Sequence, residues 1–196
     1  ELIYAHFMNT ETEAAHSAAE KFIRLHPRHP NIDYAYFMKG LSSYTRDRDL
    51  LIRFIDTDIS NRDVSGAKAS FAELTEFITR FPDSQYVSYA KQRNIYLRNL
   101  IAKSELSAAD YYLTIDAHIG AIRRANYVIE NIPNSSENYR ALKILEESYE
   151  ALGYTELLED VRQVLSSNYS GKESNQTSRT REWSWNFLDR PDKKDE

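Results

Sequence analysis

Three times in this chain a helix-forming stretch runs into an apolar pair, a short spacer and a proline. The copies are Phe22-Ile23-Arg24-Leu25-His26-Pro27, Phe77-Ile78-Thr79-Arg80-Phe81-Pro82 and Val128-Ile129-Glu130-Asn131-Ile132-Pro133. Proline has no N–H and its ring obstructs the preceding turn, so each copy marks a helix end. Twelve positions before each proline stand Ala15, Ser70 and Ala121, and eight before it Ala19, Leu74 and Ala125. Residues at this spacing share one helix face, and small ones let a neighbouring helix come close. A chain punctuated this way is expected to fold as stacked helical hairpins.

The phasing matches the second helix of a tetratricopeptide unit, and the fold class expected is all-α, an α-solenoid of tetratricopeptide-like hairpins. Five glycines, five prolines and 28% charged residues fit a helical chain better than a sandwich or barrel. The 14 tyrosines suit packing between helices with the hydroxyl at an edge. Net charge is −5 with both signs interspersed, so no basic stripe points to nucleic acid. No apolar run approaches the ~18 residues of a membrane span. Without cysteine, disulfides, zinc–thiolate sites and thiol catalysis are excluded.

Nothing in the sequence resembles an active site. His26 and His29 are three residues apart, but Pro27 and Pro30 forbid a regular helix between them and no third ligand is near. There is no glycine-rich phosphate loop and no Gly-x-Ser-x-Gly elbow. The expectation is a binding scaffold that is not an enzyme, with no cofactor and no metal.

Along the chain, residues 1–8 read as the end of a first helix; its uncapped start predicts a chain that begins inside a repeat. Thr10 and Glu13 have the spacing of a capping box for the next helix. That helix carries Ala15, Ala18, Ala19, Phe22 and Ile23 inward; Asn31 is expected to cap a third, with Ala35, Met38 and Leu41 inward. Residues 45–63 break the pattern as an insertion, and Pro27 and Pro82 accordingly lie 55 positions apart. From Val64 the period returns through Ala67, Phe71, Leu74, Ile78 and Phe81. Ser84 is expected to cap a helix through Ile101, followed by a separate short helix at 108–114 with Tyr112 facing Ala121. The third repeat helix runs to Pro133, and Asn134 or Ser135 caps a helix stopping at Gly153, whose left-handed tolerance ends helices. Thr155 starts the last helix, with Leu158, Val161 and Leu165 inward. The domain reading is a repeat solenoid over 1–169 and a flexible polar tail over 170–196. The tail carries an aromatic patch, Trp183-Ser184-Trp185-Asn186-Phe187-Leu188, that reads either as a docking segment or as packing on the last helix.

Arg123-Arg124 lies mid-helix in the third repeat and reads either as a solvated pair or as a partner contact, since the guanidinium fork suits carboxylates. Arg124 follows Gly120 and Ala121 and is expected to point away from the helix contact, solvated in the free protein and paired only in a complex.

Several segments together resemble one family. They are Leu2-Ile3-Tyr4-Ala5, the first proline motif with His29-Pro30-Asn31-Ile32-Asp33-Tyr34 after it, and Gly40-Leu41. Further on come Asp58-Ile59-Ser60-Asn61-Arg62-Asp63, Phe81-Pro82-Asp83-Ser84-Gln85-Tyr86 and Ala109-Asp110-Tyr111-Tyr112. Over residues 1–169 the chain is similar to the BamD (ComL-type) lipoproteins of the bacterial outer-membrane β-barrel assembly machine. The resemblance implies a scaffold at the periplasmic face of the outer membrane. It implies that C-terminal repeats hold the POTRA domain of the barrel-forming subunit and join other lipoproteins, and that N-terminal repeats receive nascent outer-membrane proteins. The family's lipid-bearing cysteine and first repeat fall outside this sequence. Tyr111 and Tyr112 match the family's paired tyrosines, and Arg124 occupies the place of an arginine that meets acidic POTRA residues; Arg123 is its neighbour. Where the family often has Arg-Gly at the preceding turn, this chain has Ile115-Asp116. The competing reading, a cytosolic tetratricopeptide adaptor that clamps a peptide carboxylate, needs a converging Lys, Asn and Arg set that residues 31–44 and 136–152 do not offer.

Overall fold

The computed structural model describes residues 1–44 and 64–169. The expected insertion at 45–63 and the tail at 170–196, with its aromatic patch, lie outside the described residues. Within them are eight helices and no strand: α1 (Leu2–Met8), α2 (Thr12–Leu25), α3 (Ile32–Ser42), α4 (Ser65–Arg80), α5 (Val87–Thr114), α6 (His118–Asn131), α7 (Asn138–Leu152) and α8 (Thr155–Tyr169). Each helix packs on its neighbours in sequence, and α1 also meets α3, as α5 meets α7. The result is the expected all-α array of hairpins.

The proline-counted positions form the spine of the core. Ala15, Ser70 and Ala121 are fully buried, and so are Ala19, Leu74 and Ala125. Each small residue sits where two helices cross, and Ser70 satisfies its hydroxyl by donating to the Gly40 carbonyl at 2.6 Å.

Two kinds of turn alternate. After α2, α4 and α6 the last residue before proline has nearly the same conformation: φ −130° at His26, −129° at Phe81 and −126° at Ile132. Its N–H closes the helix on Phe22, Phe77 or Val128 at 2.9–3.0 Å. Two residues past the proline a side chain accepts a backbone N–H of the next helix start. Ser84 takes that of Tyr86 at 3.4 Å, Ser135 that of Glu137 at 3.2 Å, and His29 Nδ1 that of Asn31 at 3.0 Å. Ser84 and Ser135 therefore brace the turn but are not the N-caps expected of them: α5 and α7 start from Tyr86 and Glu137, neither of which makes a side-chain cap bond. Asn31 makes no side-chain cap bond, because His29 already supplies the acceptor.

The turns after α1, α5 and α7 carry no proline and each place one residue in the left-handed region: Thr10 at φ 64°, Asp116 at 56° and Gly153 at 72°; of the proline turns, the one after α6 also does so, at Asn134 with φ 61°. In the three without proline the following N–H reaches back five residues, Glu11 to His6, Ala117 to Tyr112 and Tyr154 to Tyr149, at 2.8–3.0 Å. This double bond pattern satisfies the last carbonyls of a helix. Gly153 was legible. The Thr10–Glu13 capping box is not formed: Thr10 is the left-handed residue, its hydroxyl donates to Asn9, and α2 starts after Glu11.

A second correction concerns α5. It runs unbroken for 28 residues, so residues 108–114 are its last turns and not a separate helix. Its inward stripe is Arg93, Leu97, Ile101, Glu105 and Ala109, with a charged residue at two of five positions. Arg93 donates to the Tyr44 carbonyl at 2.9 Å and lies over the rings of Tyr44 and Tyr96.

Candidate functional site

The residues singled out from sequence meet at the α5–α6 turn. Tyr111 is 63% exposed, Ile115 54% and Ile119 47%, three large apolar side chains standing in solvent around one tip. Tyr112, one residue on, turns the other way. A Cβ at position 120 would stand 2.9 Å from its ring, so glycine there lets the ring lie on the start of α6 beside Ala121. The tip is pinned by the left-handed Asp116. Glycine adopts that conformation at no steric cost, whereas an aspartate is disfavoured in it.

Arg124 is not free. Its Nη1 donates to Glu105 Oε2 at 2.8 Å, while Lys68 Nζ from α4 donates to Glu105 Oε1 at 2.9 Å. The Glu105 side chain is 9% exposed, against 44% for Arg124 and 45% for Lys68. Burial alone would push the Glu105 carboxyl up, but the hydrogen bonds from Lys68 and Arg124 together hold it below the usual carboxylate range. The same bond, with Tyr112 adding to it, holds the Arg124 guanidinium above its ordinary value. The expectation of a solvated Arg124 that pairs only in a complex is therefore overturned: its charge already neutralises a buried carboxylate and ties α6 through α5 to α4. Arg123 is exposed as well, and it makes no ion pair or hydrogen bond among the described residues.

Beside the tip, Asp110 pairs with Arg140 of α7, and Arg140 also lies 3.6 Å from Glu137. His26 meets the Phe22 ring at a tilt and His29 edge-on, with centroids 5.3 and 5.1 Å away, so the histidine pair packs a turn. Among the described residues no three of His, Asp and Glu are grouped to hold a metal ion. Sequence reasoning missed Glu105 and Lys68, whose partners lie 19 and 37 positions away and share no local pattern with them.

The family model described as an outer membrane lipoprotein, YfiO, matches residues 1–165. The chain belongs to the YfiO family. Its curated relatives carry the name outer membrane protein assembly factor BamD. The protein of Neisseria meningitidis serogroup A is 36% identical over 166 residues, which cover 85% of this chain and 62% of the relative. That of Xylella fastidiosa strain 9a5c is also 36% identical, over 84% of this chain and 56% of its own length. In Vibrio cholerae the identity is 32% over 86% and 70%. The chain thus spans somewhat over half the length of the first two relatives. For this YfiO member the α5–α6 tip lies inside the matched region, whereas residues 170–196 lie beyond it.

Proposed function

We propose that this chain is the repeat scaffold of an outer-membrane protein assembly factor and acts by binding, without catalysis. Its place is the periplasmic face of the outer membrane, where the lipid anchor of the family holds it. The α5–α6 tip grips the POTRA region of the barrel-forming subunit; other lipoproteins of the machine join the same end, and nascent outer-membrane proteins meet the earlier hairpins. The observation that carries this reading is the tip itself. Tyr111, Ile115 and Ile119 are exposed together beside the uncommitted cation Arg123, an aromatic and apolar cluster with an arginine, the composition of interface anchors. Tyr112, Gly120, Arg124 and Glu105 support the tip from within.

The two arginines separate binding from folding. Arg123→Glu is expected to weaken binding to the POTRA fragment at least tenfold by titration calorimetry, with the melting temperature unchanged. Losing an interfacial charge pair costs ~2–5 kcal/mol when it is desolvated, and far less at a rim. Tyr111→Ala should weaken binding as well. Unchanged affinity in both variants would remove this tip from the interface.

A further inference from the structure

A half-open groove of about 520 Å³ lies on α5 where the start of α4 and the end of α6 overlap. Phe71, Ile101, Tyr127 and Ile132 give it most of its apolar lining, Lys68 borders it with its ammonium 5.8 Å from the Tyr127 ring centroid, and Arg98 enters from α5. Its volume falls within the ~300–1,000 Å³ of clefts that bind ligands. Arg98 is the unusual member. It makes no hydrogen bond or ion pair among the described residues, and its Nε is buried without a partner. A guanidinium in an apolar recess with no acceptor is unfavourable, and a carboxylate arriving with aromatic side chains would satisfy both surfaces at once.

The chain itself contains such a segment, and the fold delivers it to the right end. Tyr169, the last described residue, packs on Tyr139 at 5.2 Å, and Tyr139 opens α7 just after the Pro133 turn that borders the groove. Fourteen positions beyond Tyr169 the sequence reads Trp183-Ser184-Trp185-Asn186-Phe187-Leu188-Asp189. At about 3.3 Å per extended residue that link reaches roughly 46 Å. Returning from α8 to α4 crosses only a few helix spacings of about 8–10 Å each.

We propose that the groove between α4, α5 and α6 receives the chain's own segment 183–189, with its rings against Phe71 and Tyr127 and the Asp189 carboxylate on Arg98.

Both tryptophans of the chain are Trp183 and Trp185, so tryptophan emission reports on this segment alone. In the full chain the emission should be blue-shifted, and acrylamide quenching several-fold weaker than for a synthetic peptide of residues 180–190. Arg98→Glu should return emission and quenching to the peptide values while far-UV circular dichroism is unchanged. Adding Asp189→Arg to Arg98→Glu should recover the protection, which a general loss of packing would not allow. Solvent-like emission from the unaltered chain would overturn the proposal. So would protection that survives both Arg98→Glu and Tyr127→Ser, because the segment would then pack elsewhere. Protection that grows with protein concentration would overturn it as well, by assigning the groove to the segment of a second copy.

Discussion

Phe37 lies among Phe77, Tyr86 and Tyr89 with ring centroids 5.6, 4.9 and 5.7 Å away, and Phe81 and Tyr36 extend the cluster. One hairpin further on, the core of α5, α6 and α7 holds no phenylalanine and is rich in alanine (Ala102, Ala109, Ala121, Ala125 and Ala141), with Glu105 buried beside them. Both junctions follow the same proline turn and the same twelve-and-eight phasing. They fill the space in opposite ways. In the first, rings supply the volume and the apolar area. In the second, small residues let the backbones approach beside aliphatic side chains such as Leu106, Val128 and Leu145, and a carboxylate held by Lys68 and Arg124 joins α4, α5 and α6. The repeat thus dictates where helices cross, while the side chains at the crossing decide whether rings alone or a charge cluster beside aliphatic packing hold the junction. The surface proposed to meet partners rises from the second kind.

The largest expected effect probes the aromatic junction. Phe77 is fully buried and touches Phe37 and Phe81, so Phe77→Ala should cost ~3–5 kcal/mol by lost burial and the cavity left behind. Phe71, which the periodicity offered as the core ring of α4, is only half-buried and lines the groove. Its truncation should cost clearly less than that of Phe77 in a denaturant titration. Equal losses would mean that rings do not carry this junction.

Much of this architecture was legible because three prolines, with buried residues eight and twelve positions before each, mark where helices end and cross. The long helix α5 was not, and Arg93 and Glu105 explain why. Charged residues normally mark the solvated side of a helix, so a stripe reading Arg93, Leu97, Ile101, Glu105, Ala109 looks interrupted when it is continuous. Thr10 misled for a different reason: Thr-x-x-Glu before an apolar helix has the chemistry of a capping box, and only the backbone shows that Thr10 is the left-handed end of the helix before. At the candidate site, the resemblance picks out Tyr111, Tyr112 and Arg124, and the sequence itself the Arg123-Arg124 pair. The division of labour between Arg123 and Arg124 was not legible, since it depends on Glu105 coming from another helix.

Next in size is the charge cluster. Arg124→Glu sets a second carboxylate against buried Glu105 and leaves Lys68 alone to neutralise both. Breaking a buried pair costs ~3–5 kcal/mol; with Lys68 remaining and Arg124 half-exposed, roughly 2 kcal/mol is expected. A melting temperature unchanged from the parent would show that the second junction does not depend on this cluster. The cluster should also answer to pH. The folded Glu105 carboxyl is held below its unfolded value of about 4.3. Its stabilisation is therefore fully present above that value and is lost as the pH falls through the lower folded value. The melting-temperature advantage of the parent over Glu105→Gln should be constant from pH 7 to pH 5 and shrink on acidification below about 4. An advantage that stays constant down to pH 3 would remove the ionised carboxylate from the account.

The smallest effect sharpens the comparison at the turn that carries the tip. Asp116 holds the left-handed conformation at φ 56°. An L side chain there is disfavoured by roughly 1–2 kcal/mol, although aspartate tolerates the region better than most. Glycine removes that strain but gives the unfolded chain more freedom, a loss of ~0.4–1 kcal/mol. Asp116→Gly should therefore stabilise by at most about 1 kcal/mol, and Thr10→Gly by more, because a β-branched residue fits the region worse. Gly153→Ala at φ 72° should do the reverse and destabilise by about 1 kcal/mol. Hydrogen exchange can place the gain. Protection should rise at the end of α5 and the start of α6 in Asp116→Gly and stay level in the aromatic junction of α3 and α4. A uniform rise through both regions would mean that the hairpins open as one unit and that their different packing does not divide them.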